Sequence, residues 1–149
     1  MTVRISTGMR GKMLDGGATG GIKGSLALGF INIYTGPQPL SADTGATGTL
    51  LGTVSVDGSG TGLTFDPSVG GVISKAALEN WKFTGLAAGT AGWCRFWPAS
   101  GNPANTSTTE ARIDMAIASS GSDVNLSNIS ITVGAPNTID VYQITMPAQ

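Results

Sequence analysis

Leu50-Leu51-Gly52-Thr53-Val54-Ser55-Val56, followed by Asp57-Gly58-Ser59-Gly60, is the stretch that decides the fold class. Val54 and Val56 fall on one side of an extended chain and Thr53 and Ser55 on the other, because successive side chains of a strand point to opposite faces. The Asp-Gly step and the glycine two places on suit a tight turn, which needs positive φ. Alternation of this kind predicts one buried face and one wet face, the habit of antiparallel sheets.

The same signal recurs on both sides of that stretch. Phe30–Tyr34 is rich in β-formers. Trp81 and Phe83 alternate with Asn80, Lys82 and Thr84. Ile113, Met115 and Ile117 alternate with Arg112, Asp114 and Ala116, and Ile129, Ile131 and Val133 with Asn128, Ser130 and Thr132. Leu63–Phe65 and Val72–Ser74 are shorter strands, and Thr138–Met146 predicts a longer one closed by Pro147. The 23 glycines mostly separate these segments. No long helical period lies between strands, which argues against a parallel α/β sheet. The expected fold is all-β, an antiparallel β-sandwich or jelly roll formed by residues 26–149 as one domain.

Residues 1–25 read as a glycine-rich N-terminal arm. A short helix is expected near Thr7–Asp15, with Ser6 or Thr7 as its cap and Met9 and Met13 on one face. Gly8 and Gly11 weaken it by up to about 1 kcal/mol each, and Gly16, Gly17, Gly20 and Gly21 end it. A flexible arm with one helical turn is the alternative.

Composition narrows the function classes. Histidine is absent, so the commonest general base and metal ligand is missing, and Ser-His-Asp and Cys-His sites are excluded. Seven Asp and two Glu offer no calcium-loop spacing, and Asp114 and Asp140 read as polar-face residues of strands. Gly16–Lys23 approaches a phosphate-binding loop, but Ile22 stands where the second glycine is needed and Gly24 follows the lysine. Gly58–Gly62 has no helix after it to present to a phosphate. The expectation is a non-enzyme with no cofactor.

Cys94 is the only cysteine, so no internal disulfide can form. The N-terminus lacks the apolar core of a signal peptide, so export by the usual route is not expected. The three Asn-X-Ser/Thr matches at Asn105, Asn125 and Asn128 then read as chance. No apolar run approaches the roughly 18 residues of a membrane span. A net charge of −1 does not suggest nucleic acid.

Charged residues make up only 11% of the chain, against about 25% in an average domain. Either much of the surface ends against a neighbour, or the domain is simply low in charge. Arg4, Arg10, Lys12 and Lys23 face Asp15 alone within Met1–Ser25, a local +3 that leaves −4 for the remainder. These four residues are candidate contacts to an acidic neighbour; a solvated terminus is the other reading. Ser100–Thr109 is a long polar loop in which Asn102 and Asn105 are candidate contacts. In Gly92-Trp93-Cys94-Arg95-Phe96-Trp97, alternation sets Trp93, Arg95 and Trp97 on one face. That face is either a partner-binding patch centred on Arg95 or core with Arg95 reaching out.

Two stretches carry a resemblance. Ile33-Tyr34-Thr35-Gly36-Pro37-Gln38-Pro39, continuing through Ser41-Ala42-Asp43 to Thr47-Gly48-Thr49-Leu50-Leu51, resembles small structural virion proteins of tailed bacteriophages. So does Ala87-Ala88-Gly89-Thr90-Ala91-Gly92-Trp93 with Arg95-Phe96. The resemblance implies a capsid decoration or cement protein, often a jelly roll or sandwich. It further implies that the chain is made in the host cytoplasm and sits on the capsid surface of the virion. Its partners would be the major capsid protein and copies of itself, as a homo-oligomer without nucleic acid or membrane. A tail, neck or baseplate component is the first alternative. A carbohydrate-binding module using Trp93, Trp97 or Tyr34 is the second.

Overall fold

The computed structural model describes residues 3–15 and 20–146. In chain order the elements are β1 (Arg4–Ile5), α1 (Thr7–Asp15), α2 (Gly21–Leu26), β2 (Phe30–Thr35), β3 (Leu50–Val56), β4 (Val72–Ser74), β5 (Trp81–Thr84), β6 (Gly89–Trp97), β7 (Ile113–Ala118), β8 (Val124–Asn125), β9 (Ser130–Ile131), β10 (Pro136–Ile139) and β11 (Gln143–Thr145). Nine strands form one sheet along the path β1-β7-β6-β2-β3-β5-β10, with β8 joined to β7 and β9 to β6. All its pairs are antiparallel except β7–β8. Strands β11 and β4 form a separate two-stranded ribbon. The chain is therefore mainly β, with two short helices near its N-terminus.

Register sorts the side chains by face. Ile31, Val54, Phe96 and Ile113 share one row, and Ile33, Cys94 and Met115 the next. On this face, burial joins the strand residues to Met9 of α1, Leu26 of α2, Ile73 of β4 and Tyr142. Apolar area removed from water holds these layers together, at about 25 cal/mol per Å². Gly52 belongs to this packing: a Cβ there would lie 2.3 Å from the Phe83 ring, so the glycine makes room for the phenylalanine.

The opposite face is not the wet face that alternation predicts. Its central row runs Thr53, Asn32, Arg95, Asp114 and Arg4 across five strands. Arg95 and Asp114 are fully buried, and Asn32 is nearly so. The connections 36–49 and 98–112 lie over it. Arg95 is thus not reaching outward, and Asp114 is not a solvated strand residue. Their opposite charges, set directly across from each other, let both be buried.

Other expectations shift in detail. Helix α1 has the expected bounds, and Ser6 is its cap: its Oγ accepts the Met9 N–H at 3.0 Å. The stop expected at Gly16 and Gly17 lies outside the described residues, as does Pro147. Helix α2 corrects the reading of Gly20 and Gly21 as a stop alone, since Gly21 opens a second helix that buries Leu26. Leu63–Phe65 makes only single bridges, to Gly29 and Lys75. Of the run around Ile131 only Ser130–Ile131 pairs, and Val133 is exposed. Thr138–Met146 is not one strand. The chain leaves β5 after Ile139, buries Tyr142, and pairs with β4 instead.

Candidate interaction surface

The buried row is tied to the loops above it by arginines. Arg95 grips Asp114 with two parallel bonds, Nε to Oδ1 and Nη2 to Oδ2, each 2.7 Å. Its remaining Nη1 donates to the Pro103 carbonyl at 2.8 Å. Arg112, also fully buried, donates to the Asn105 carbonyl at 2.7 Å, to the Asn102 carbonyl at 2.6 Å and to the Glu110 carboxylate. Glu110 in turn accepts the Asn102 N–H at 3.0 Å. Three carbonyls of one loop are therefore fixed by two guanidinium groups, whose planar forks suit this role. Arg4 does the same for the neighbouring loop, donating to the carbonyls of Gln38 and Pro39.

The two loops are also tied to each other and to α1. Ala46 N–H donates to Pro103 O, and Ser107 N–H to Asp43 O. Asp43 accepts from both Thr7 N–H at 2.7 Å and Thr7 Oγ1 at 2.6 Å, at the start of the helix. Arg10 donates to that same Thr7 hydroxyl. Burial opposes the Asp43 charge, but the two Thr7 bonds, with Arg10 nearby, hold its pKa below the ordinary 3.8. Burial pushes the Asp114 carboxyl above 3.8, with Arg95 pulling the other way.

The candidate residues fall into three groups. Arg4, Arg10 and Arg95 converge under or beside the loop pair, although Arg95 is internal. Asn102 and Asn105 stand on its outer surface, exposed, while their carbonyls face inward. On the other loop, Leu40 is 93% exposed, although Pro39 before it is buried. Lys12, on α1, is exposed at a cleft beside Gly101 and Glu110 of the 98–112 loop, and Lys23 is exposed near Ile22 and Met146. Neither belongs to the loop pair.

Asp43, Glu110 and Arg112 escape a reading for surface contacts. A signal for two of them exists: Glu110-Ala111-Arg112-Ile113-Asp114 puts three alternating charges on one strand side in a chain with few charges.

Trp93 and Tyr34 on this face are internal, whereas Trp97 is half-buried against Phe30. Trp93 is fully buried, stacked on Tyr34 at 4.6 Å between ring centres, with the Arg95 guanidinium 5.4 Å from its ring. Neither ring is available as a sugar platform as it stands. The indole N–H groups of Trp93 and Trp97 reach no acceptor among the described residues. Cys94 is buried, and burial drives its thiol pKa well up, with Asp114 and Asp123 adding to the effect. Among the described residues no group of three or more His, Cys, Asp or Glu could hold a metal ion, and no helix is long and apolar enough to cross a membrane.

No family model, curated protein or solved structure matches this chain. The functional reading therefore rests on the residues themselves.

Proposed function

We propose that this chain is a non-catalytic structural protein of a tailed-phage particle, a capsid decoration or cement protein that binds across major capsid protein subunits. One observation carries the reading. The loops 36–49 and 98–112 form a preformed, nearly uncharged platform, held from below by Arg4, Arg95 and Arg112. A platform already fixed in the free protein loses little conformational freedom on binding. Leu40 on one loop offers an apolar anchor, and Asn102 and Asn105 on the other offer polar contacts, the two kinds of group a protein-binding patch combines. On a symmetric shell many modest contacts of this kind add up.

In the same reading the large sheet and the ribbon are two unequal layers of a sandwich or jelly roll. Packing of Tyr142 against Trp81 and Phe96, at 5.2 and 5.9 Å between ring centres, supports that. A tail, neck or baseplate location would use the same platform in fewer copies.

The test is binding of purified protein to undecorated shells, with the copy number counted against the major shell protein. Hundreds of copies fit decoration, and a few dozen move the chain to the tail, neck or vertices. Leu40→Asp with Asn105→Arg is expected to keep the fold and weaken shell binding at least tenfold, as losing one anchor of about 1.4 kcal/mol would. Undiminished binding by that variant removes the platform from the interface.

A further inference from the structure

The ribbon formed by β4 and β11 leaves one edge open. Met146 N–H donates to Gly71 O and Lys75 N–H to Tyr142 O, so Tyr142, Ile144 and Met146 direct their backbone groups toward β4. Antiparallel ladders alternate, and Gln143 and Thr145 therefore turn their N–H and C=O groups the other way. No strand among the described residues pairs with that side. Proteins usually guard such edges with charge, proline or a bulge, yet Gln143-Ile144-Thr145 has none of these within it. Beside the edge lies a mainly apolar hollow of about 330 Å³, lined by Val3, Ile5, Ile113, Met115 and Ile144, with the Asp123 carboxylate on its wall.

We propose that two copies of this chain pair β11 to β11 across a two-fold axis, making a four-stranded β4-β11-β11-β4 sheet. The edge is self-complementary in the way such an axis demands. With Ile144 opposite Ile144, each Gln143 faces the partner's Thr145, and the outward groups form four backbone hydrogen bonds. Charge agrees with this register. Lys23 lies by the Ile144–Met146 end of β11, and Asp140 lies by the Tyr142–Gln143 end. Both are exposed, and neither has an ion-pair or hydrogen-bond partner among the described residues. Antiparallel pairing of the two strands brings the Lys23 end of each copy to the Asp140 end of the other. The hollows beside the seam lose water in the same step.

The test uses the purified full-length chain and sedimentation equilibrium, without particles. Failure here thus leaves the shell reading standing, and failure of shell binding leaves the pair standing. The native chain is expected to dimerise. Thr145→Pro removes an outward N–H and no bond to β4, so it is expected to be folded and monomeric, while Thr145→Val still dimerises. Lys23→Glu alone is expected to weaken the dimer about tenfold, as losing two symmetry-related exposed pairs would, and adding Asp140→Lys restores it. That charge exchange decides the matter even where the proline variant misfolds. A native chain monomeric at high concentration, or a dimer indifferent to both Thr145→Pro and Lys23→Glu, overturns the proposal. Monomers that capture an added extended peptide at this edge would also overturn it, assigning the edge to another protein's strand.

Discussion

At the scale of single residues, three of the chain's few charges, Arg95, Arg112 and Asp114, are buried. Arg95 and Asp114 are both fully buried, each the other's counter-charge. Removing one partner leaves the other uncompensated in a poor solvent for ions, and Asp114→Ala is expected to cost about 3–5 kcal/mol in urea unfolding. Replacing both, as Arg95→Met with Asp114→Leu, is expected to cost less than the single change, because no charge is stranded. An equal or larger cost would show that the Pro103 bond matters more than the ion pair. Asp43 carries a pH dependence of definite sign. Its folded pKa lies below the unfolded 3.8, so its stabilisation is present above that value and lost as pH falls through the folded one. The stability gap between the native chain and Asp43→Asn should be flat from pH 5 to 7 and close in stronger acid. A gap that does not change with pH would mean that the carboxylate charge is idle.

At the scale of elements, helix α1 shows how neighbours decide what a glycine is for. Gly8 and Gly11 look equally harmful to a helix in the sequence. A Cβ at Gly8 would stand 2.3 Å from the Thr109 carbonyl oxygen, whereas one at Gly11 meets nothing within 4 Å. Gly11→Ala is expected to stabilise by roughly 0.5–1 kcal/mol, and Gly8→Ala to destabilise by about 1–3 kcal/mol because backbone must move. Thermal melts of the two variants should move in opposite directions, and parallel shifts would place α1 away from the loop. The same contrast explains what could be read beforehand. Strands β3, β5 and β7 announce themselves through alternation over several residues, and β2 through its β-forming residues. Helix α2 does not, since Gly21-Ile22-Lys23-Gly24-Ser25-Leu26 has poor propensity and is shaped by burying Leu26. The break between β10 and β11 depends on where Tyr142 finds its pocket, a tertiary matter. The loop pair is half legible: its polar composition singles out Asn102 and Asn105 as candidates, but the arginines beneath are visible only once register puts Arg95 across from Asp114.

At the scale of the whole molecule, the N-terminal segment 4–6 closes on residues 110–114. Ser6 lies between both halves: its Oγ accepts the Arg112 N–H at 2.9 Å and donates to the Glu110 carbonyl at 2.6 Å. Among the described residues, strand β1 has no sheet partner other than β7. A chain stopped after Ala111 is therefore expected to stay unfolded, with circular dichroism lacking the sheet signal and rapid proteolysis throughout. A protected core in that fragment would show that β2, β3 and β6 stand without β7. The 106-residue separation between Ser6 and Arg112 also has a meaning in time. A ribosome adding about 5–20 residues each second exposes Ser6 and Met9 for roughly 5–20 s before their partners emerge. During that interval the nascent chain carries a helix without its dock and a sheet that lacks β7, the strand that joins β1 to β6, which is when a chaperone would find it.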